Sequence, residues 1–395
     1  MMMDSRHAAW PFFDDRHRAI VTKLQNFLDH HPLDDDEPAD AAAAADAVRA
    51  HAALLGGEGF LEYLVPGAYG GAFAVPDARA ICLCREFLGY ANPLADFAFV
   101  MQGLGSAPVS RFASEEMKAE ILPRIASGQA LIAFALTEEE AGTDAASMQS
   151  RARKDGDSWV LNGTKTFISN AGIADYYVTF AVTDPALGTR GISAFLVRAD
   201  DPGFRVSETL DVISPHPLGS LSFENCRLPA GRLIGKEGQG FAIAMANLDV
   251  FRPSVGAAAL GFARRAMDAA TDFAIRRKMF GQTLADFQLT QARIADMATA
   301  IDAAALLIYR AVWQADTSGE AATREVSMAK MFATEEAQKV IDAAVQLFGG
   351  RGVCRGNIAE KLYRDLRALR IYEGTTEINK LVIARHCLKA RRQGL

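Results

Sequence analysis

Apolar positions along the chain keep one period, change it, and then return to it. From about Arg16 to Leu131 they recur at helical spacing, interrupted by an acidic, alanine-rich stretch at residues 34–50 and by the loop Pro66-Gly67-Ala68-Tyr69-Gly70-Gly71. Between about Ser147 and Leu233 the period shortens. Runs at 158–161, 176–182 and 192–197 are rich in β-forming residues and are separated by the turn pairs Asp155-Gly156 and Asn162-Gly163. Helical spacing resumes after Gly235-x-x-Gly238-x-Gly240. Val255, Ala259, Phe262, Ala266, Ala270 and Phe273 alternate steps of four and three, and a second stripe joins Ile294, Met297, Ile301, Ala304, Ile308 and Val312. A third runs from Val326 through Ala333, Val340 and Ala344 to Phe348, where Gly349-Gly350 suits a left-handed cap. Long helices of this kind pack as a bundle. The pattern predicts a mainly α chain with a central β domain, divided at 1–131, 132–238 and 239–395.

A dinucleotide domain built on a Gly-rich strand-to-helix turn is not expected, because no strand leads into Gly-x-Gly-x-x-Gly. The 235–240 loop lacks the spacing and the Lys-Ser/Thr ending of a phosphate loop and reads as an interdomain turn. Charge narrows the function further. With 42 basic against 48 acidic side chains and a net charge of -6, the chain offers no electrostatic footprint for nucleic acid. It has no uncharged apolar run long enough to span a membrane, and acids at Asp4, Asp14 and Asp15 argue against a targeting signal, so a cytoplasmic protein is expected. The five cysteines, Cys82, Cys84, Cys226, Cys354 and Cys387, form no Cys-x-x-Cys pair and read as free thiols. The seven histidines lack metal-site spacing, so no metal is expected.

Four segments could carry chemistry. Ile371-Tyr372-Glu373-Gly374-Thr375-Thr376 sets a lone carboxylate on a tight turn at the mouth of a helix, the place for a catalytic base or, equally, for an ordinary helix cap. Thr375 or Thr376 can cap the helix, and Ile378, Leu381 and Val382 begin an apolar stripe expected to anchor the turn. Residues 135–144 gather hydroxyls, Gly142 and exposed backbone N–H groups at the entry to the β domain, a natural ligand cradle or a solvated linker. Arg277-Lys278-Met279-Phe280-Gly281 closes a long helix with cations that suit its dipole and could also clamp a pyrophosphate. Residues 346–352 carry more glycine than a helix cap needs.

Taken together and in this order, these segments resemble the acyl-CoA dehydrogenase family across nearly the whole chain. One family signature is similar to residues 135–147, a second to residues 346–365 with a lapse at Gly356; Glu139 and Phe167 replace the family's common proline and tryptophan. The resemblance implies an N-terminal helical domain, a middle β-barrel-like domain and a C-terminal four-helix bundle. It also implies an FAD enzyme that oxidises an acyl-CoA thioester to the trans-2-enoyl-CoA. By that similarity Glu373 is the base, its backbone N–H and a flavin ribityl hydroxyl are donors to the thioester carbonyl, and Thr143, Asp249, Arg252 and Gly374 meet the substrate. Some relatives carry the base immediately before the arginine that is Arg252 here, but this chain has Phe251 there, which cannot accept a proton. Asp249 and Arg252 can also be read as a plain i,i+3 ion pair.

For FAD the resemblance implies Phe134, Leu136, Thr137, Gly142 and Thr143, with Phe167 and Ser169 beside the flavin ring. From a neighbouring subunit come Arg277, Phe280, Phe287, Gln288, Gln346, Gly349 and Gly350, while Thr375 and Glu377 lie near the pyrophosphate. A homotetramer follows, with an electron-transferring flavoprotein as electron acceptor. The helix around Phe97, Phe99, Val100 and Leu104 is expected to floor the acyl pocket, its phenylalanines favouring a short, branched or cyclic acyl group. Two other classes are weighed against this: an acyl-CoA oxidase or other oxygen-using flavoenzyme on the same fold, and a non-enzymatic helical binding module. Peroxide formation would mark the first, and a colourless protein that takes up no FAD the second.

Overall fold

The computed structural model describes residues 3–33, 37–318 and 322–394. In chain order the helices and strands are α1 (Asp15–His30), α2 (Ala41–Gly57), α3 (Ala78–Ala91), α4 (Pro93–Phe112), α5 (Glu115–Ala126), β1 (Ile132–Ala135), β2 (Arg151–Asp155), β3 (Ser158–Ser169), β4 (Tyr176–Val182), β5 (Ile192–Arg198), β6 (Phe204–Thr209), β7 (Leu218–Pro229), β8 (Leu233–Ile234), α6 (Gly240–Arg276), β9 (Lys278–Met279), β10 (Gln282–Thr283), α7 (Gln288–Ser318), α8 (Thr323–Phe348), α9 (Ile358–Leu369) and α10 (Thr376–Arg392). Helices therefore flank a central sheet in sequence, as the change of period predicts. Among the described residues no helix is long and apolar enough to cross a membrane.

Contacts gather the chain into two units, one of Met1–Glu37, Ala78–Asp96 and Asp249–Leu395, the other of Pro38–Asp77 and Phe97–Leu248. In the first, α8 packs against α7, α9 and α10, and α3 packs against α1 and α7. Small residues let α6 approach its neighbours: a methyl on Gly261 would sit 2.2 Å from the Glu86 carbonyl of α3, and Gly256 faces Ile308 of α7 and Ala333 of α8. The predicted α6 stripe is buried from Val255 to Ala270. Phe273 lies against Phe348 with ring centroids 4.8 Å apart, which ties the end of α6 to the end of α8.

The second unit is built on an eight-stranded sheet, β6-β7-β3-β2-β4-β5-β8, with β1 added parallel to β4. Its curl is visible in its core. Trp159 of β3 meets Phe195 of β5 at 5.3 Å, and Tyr177 of β4 meets Phe204 of β6 at 4.7 Å, although each pair is several strands apart in the sheet order.

Two expectations change. The alanine-rich stretch, read as an interruption, is mostly helix: Asp40 caps α2 by accepting from Ala43 N at 2.8 Å, and Ala44, Val48, Ala52 and Leu55 are buried. Alanine is the strongest helix former, but its small side chain leaves the apolar face hard to see. Residues 34–36 of that stretch lie outside the described residues. Asn162-Gly163, read as a turn, lies inside β3, where the pairing with β7 shifts register between Leu161 and Gly163. Gly163 has φ +145, and a Cβ there would be 2.4 Å from Ser150 Oγ.

Candidate active site

Between α9 and α10 the backbone passes through Glu373 at φ +52 and Gly374 at φ +94. A left-handed conformation costs a residue with a side chain about 1–3 kcal/mol, so it persists only where its surroundings fix it. Here they do so with hydrogen bonds. Arg252 Nε donates to the Glu373 carbonyl at 3.2 Å, Lys330 Nζ to the Gly374 carbonyl at 2.8 Å, and Asn379 Nδ2 to the carbonyls of Gly374 and Thr375 at 2.8 and 3.0 Å. Thr375 is the cap of α10 and accepts from Ile378 N at 3.3 Å. Thr376 Oγ1 donates to Glu335 Oε1 at 2.5 Å, and Arg370 holds both oxygens of that carboxylate at 2.8 Å.

The expected apolar anchor is not what fixes the turn. Leu381 is 52% exposed and Ile378 and Val382 are only partly covered, whereas Thr376 and Asn379 are the buried residues of α10. Polar groups take over because the apolar side of α10 is left open, while the carbonyls of the turn meet donors from α6 and α8.

The Glu373 side chain is held differently from its backbone. Among the described residues nothing donates to its secluded Oε2, and no backbone oxygen accepts from its own N–H. Burial pushes its pKa above the ordinary glutamate value, with Arg85, Lys330 and Arg252 opposing and Asp96 adding to the rise. Arg85 is committed elsewhere, bidentate to Asp96 at 2.8 and 2.7 Å and bonded to Ser254 Oγ at 3.1 Å. The predicted pair is present, with Arg252 3.0 Å from Asp249. Asp249 also accepts from Thr323 Oγ1 at 3.2 Å, and Phe251 is buried.

Several residues of this cluster escaped the reading of the sequence, Lys330, Asn379, Arg85 and Asp96 among them. Lys330 had a signal. It stands four after Val326 and three before Ala333, in the middle of a buried stripe where a charge has no ordinary place.

In the sheet-bearing unit, Lys165 of β3 is fully buried and donates to the Leu136 carbonyl at 3.1 Å and to Glu138 Oε1 at 2.8 Å. Thr166 N donates to the Thr137 carbonyl at 3.0 Å, so the 135–144 segment is fastened to β3 at the position predicted for ligand contact. The pairing of β3 with β7 shifts again between Lys165 and Ile168. This bulge turns Phe167 outward, 62% exposed at φ +54. Thr137 and Ser169 are partly exposed, and Gly142 and Thr143 are exposed. A methyl on Gly142 would find Thr137 Cγ2 as its nearest atom, at 3.9 Å. Phe134 faces Phe180 at 5.1 Å and is partly exposed.

The remaining predicted positions lie at helix ends of the helical unit. Arg277 and Gln288 are exposed, and Phe280, 90% exposed at φ +48, touches Phe287 edge-on at 6.4 Å. Gln346, Gly349 and Gly350 are exposed at the end of α8, and an added Cβ on either glycine would meet nothing within 4 Å. Gly349 has positive φ, but with ψ -139 rather than the expected left-handed cap. Thr375 is partly covered and Glu377 exposed.

Backbone strain marks the same places. Among the described residues, five non-glycine residues have positive φ: Phe167, Asn170, Asn225, Phe280 and Glu373. Asparagine tolerates that region. The other three are all positions singled out as the base or as FAD contacts, and two of them are exposed phenylalanines.

Comparison with known proteins gives the class of this helix–sheet–helix chain with its strained glutamate. Family models match the chain in three consecutive blocks: acyl-CoA dehydrogenase, N-terminal domain at residues 14–129, middle domain at 133–226 and C-terminal domain at 238–388. It is 40% identical over 379 residues to the probable acyl-CoA dehydrogenase FadE25 of Mycobacterium tuberculosis, covering 95% of each chain. The structure of butyryl-CoA dehydrogenase from Megasphaera elsdenii superposes with a TM-score of 0.87 at 30% identity, covering 95% of this chain and 99% of that one. A glutaryl-CoA dehydrogenase from Mycobacterium smegmatis in complex with FADH2 gives 0.85 at 29% identity, covering 95% of each. The chain belongs to the acyl-CoA dehydrogenase family and is an oxidoreductase.

Proposed function

We propose that the protein is an FAD-dependent acyl-CoA dehydrogenase in which Glu373 removes the α-proton of an acyl-CoA thioester. The observation that carries this reading is the secluded, unbonded Oε2 of Glu373 on a rigid, strained turn. Removing a weakly acidic carbon-bound proton needs a base that no protein donor already occupies and whose pKa has been raised toward neutrality. As charge grows on the thioester oxygen it needs a donor, and the free N–H of Glu373 is at hand on the same turn. Arg252 and Lys330 hold in place the two carbonyls that follow that N–H, of Glu373 and Gly374. Asp249 keeps Arg252 extended toward the turn, and Thr143 and Gly374 complete the substrate contacts we propose.

The residues present fit a bound FAD. Phe167 and Phe280 present exposed rings from strained backbone, and Gly349 and Gly350 leave open space where side chains would stand. We assign Phe134, Leu136, Thr137, Gly142, Thr143, Phe167 and Ser169 to the flavin end. Arg277, Phe280, Phe287, Gln288, Gln346, Gly349, Gly350, Thr375 and Glu377 are assigned to the adenosine and pyrophosphate. When bound, the cofactor supplies the hydride acceptor for the β-hydrogen.

A homotetramer is proposed, and Phe280 and Leu289, at 90% and 86% exposure, are apolar side chains that a subunit neighbour would cover. An electron-transferring flavoprotein is proposed as acceptor, and free thiols favour the cytoplasm. The likeness to a butyryl-CoA dehydrogenase supports a short acyl group. The test is a panel of straight, branched and cyclic acyl-CoAs mixed anaerobically with the FAD-loaded protein. Flavin bleaching with short members, and dye reduction without peroxide when air is admitted, is expected; peroxide at a rate matching turnover would make the protein an oxidase.

A further inference from the structure

Six cationic side chains are buried in the described residues: Arg79, Arg85, Lys165, Arg252, Arg264 and Lys330. Five reach a carboxylate. Arg79 is 2.9 Å from Asp316, Arg85 2.7 Å from Asp96, Lys165 2.8 Å from Glu138, Arg252 3.0 Å from Asp249 and Arg264 2.7 Å from Glu86. Lys330 reaches none within 4.0 Å among the described residues, and its one hydrogen bond goes to the Gly374 carbonyl. A buried ammonium without a counter-ion is costly, so its place in a stripe that could hold a leucine calls for a reason.

The reason lies next door. Gly374 follows the one residue of this cluster whose carboxylate oxygen is buried without a donor, Glu373. We infer that Lys330 is a positioning residue for Glu373: it pins the turn through Gly374 and supplies the uncommitted positive charge against which the carboxylate ionises. This rests on Glu373 being the base.

The surroundings leave that task to Lys330. The charged groups that act on Glu373 are Arg85 of α3, Asp96 of α4, Arg252 of α6, Lys330 of α8 and neighbouring Tyr372. Arg85 is tied to Asp96, which offsets its charge, and Arg252 is tied to Asp249. On the other side Lys330 faces Glu373, Arg252, Glu335 and Glu377; Glu335 is held by Arg370, and Glu377 is exposed. Asn379 bonds the same Gly374 oxygen but brings no charge. Pinning and charge can therefore be separated by mutation.

The experiment uses the FAD-loaded full chain and measures the pH dependence of anaerobic flavin bleaching by saturating butyryl-CoA. Variants are Lys330→Met, Lys330→Gln, which keeps a donor for Gly374, Asn379→Ala and Glu373→Gln. In both Lys330 variants the acidic limb should move up by about one pH unit, the low end of what an opposite charge nearby produces. Asn379→Ala should slow bleaching with its limb in place. In the absence of substrate, an infrared difference spectrum against Glu373→Gln should show the Glu373 carboxylate titrating at correspondingly higher pH when Lys330 is replaced. An unmoved limb and an unmoved carboxylate band in a folded, yellow Lys330→Gln protein would overturn the inference. Retained bleaching by Glu373→Gln would instead remove the reading of the base on which it stands.

Discussion

Lys165 of the sheet-bearing unit and Lys330 of the helical unit are both fully buried, and burial pushes both ammonium groups down to about 8. Each donates to one backbone carbonyl, of Leu136 at 3.1 Å and of Gly374 at 2.8 Å. They differ in their acids. Glu138 accepts from Lys165 and from the backbone N–H groups of Gln149 and Ser150, so its carboxyl is held below the usual glutamate range in spite of burial. Glu373 accepts nothing on Oε2 and is pushed up. The complete pair fastens a loop to a strand. The incomplete one leaves a carboxylate oxygen that no described donor occupies, which is what the proposed base requires. Charge burial is common to both regions, and what separates structure from chemistry is whether the local hydrogen bonds are used up.

The comparison is easiest to break at the lysines. Lys165→Met leaves Glu138 buried without its cation and should cost about 3–5 kcal/mol in denaturant unfolding. Lys330→Met abandons no anion bonded to it, and Asn379 still serves Gly374, so its stability should stay within about 1 kcal/mol of wild type. Equal losses from the two variants would erase the distinction.

The glutamates sharpen it, because their pKa values move in opposite directions. Glu138, depressed in the folded protein, contributes stability above the unfolded value of 4.5 that is lost as pH falls through its lower folded pKa. Glu373, raised, contributes stability that is present below 4.5 and is lost as pH climbs through its higher folded pKa. Unfolding measured from pH 2 to 8 should therefore show Glu138→Gln falling further behind wild type as pH rises toward 4.5. Glu373→Gln should gain on wild type as pH rises above 4.5. Parallel curves would contradict the assignment of either group.

A smaller effect tests the strained aromatic. Phe167→Gly should relieve the positive φ and raise the stability of the FAD-free protein by about 1 kcal/mol, while weakening retention of FAD on dilution. A loss of stability without FAD would mean that the ring packs within the chain.

Much of this layout was legible in the chain. Long-period stripes such as that from Val255 to Phe273 announce α6, and the β-rich runs at 176–182 and 192–197 coincide with strands. The alanine-rich α2 was not legible, because alanine promotes a helix without drawing its face. The bulge at Asn162-Gly163 was hidden because the same dipeptide also makes a tight turn. At the site, the position of Glu373 was marked by its Gly-Thr turn. The partners of the Gly374 carbonyl, Lys330 and Asn379, come from 44 residues upstream and 5 downstream, and local pattern says nothing of which carbonyl a distant side chain will reach. The anchoring role expected of Leu381 failed for a related reason: periodicity shows that a stripe exists but not what covers it.

The most direct measurement sets the two acids side by side in one assay. FAD-loaded wild type, Glu373→Gln and Glu138→Gln are mixed anaerobically with butyryl-CoA and followed at the flavin absorbance band. With Glu373 as the base, Glu373→Gln stays yellow with bleaching slowed by about 100- to 10,000-fold, while whatever Glu138→Gln protein folds and holds FAD bleaches within about tenfold of wild type. Rapid bleaching by Glu373→Gln would contradict that assignment.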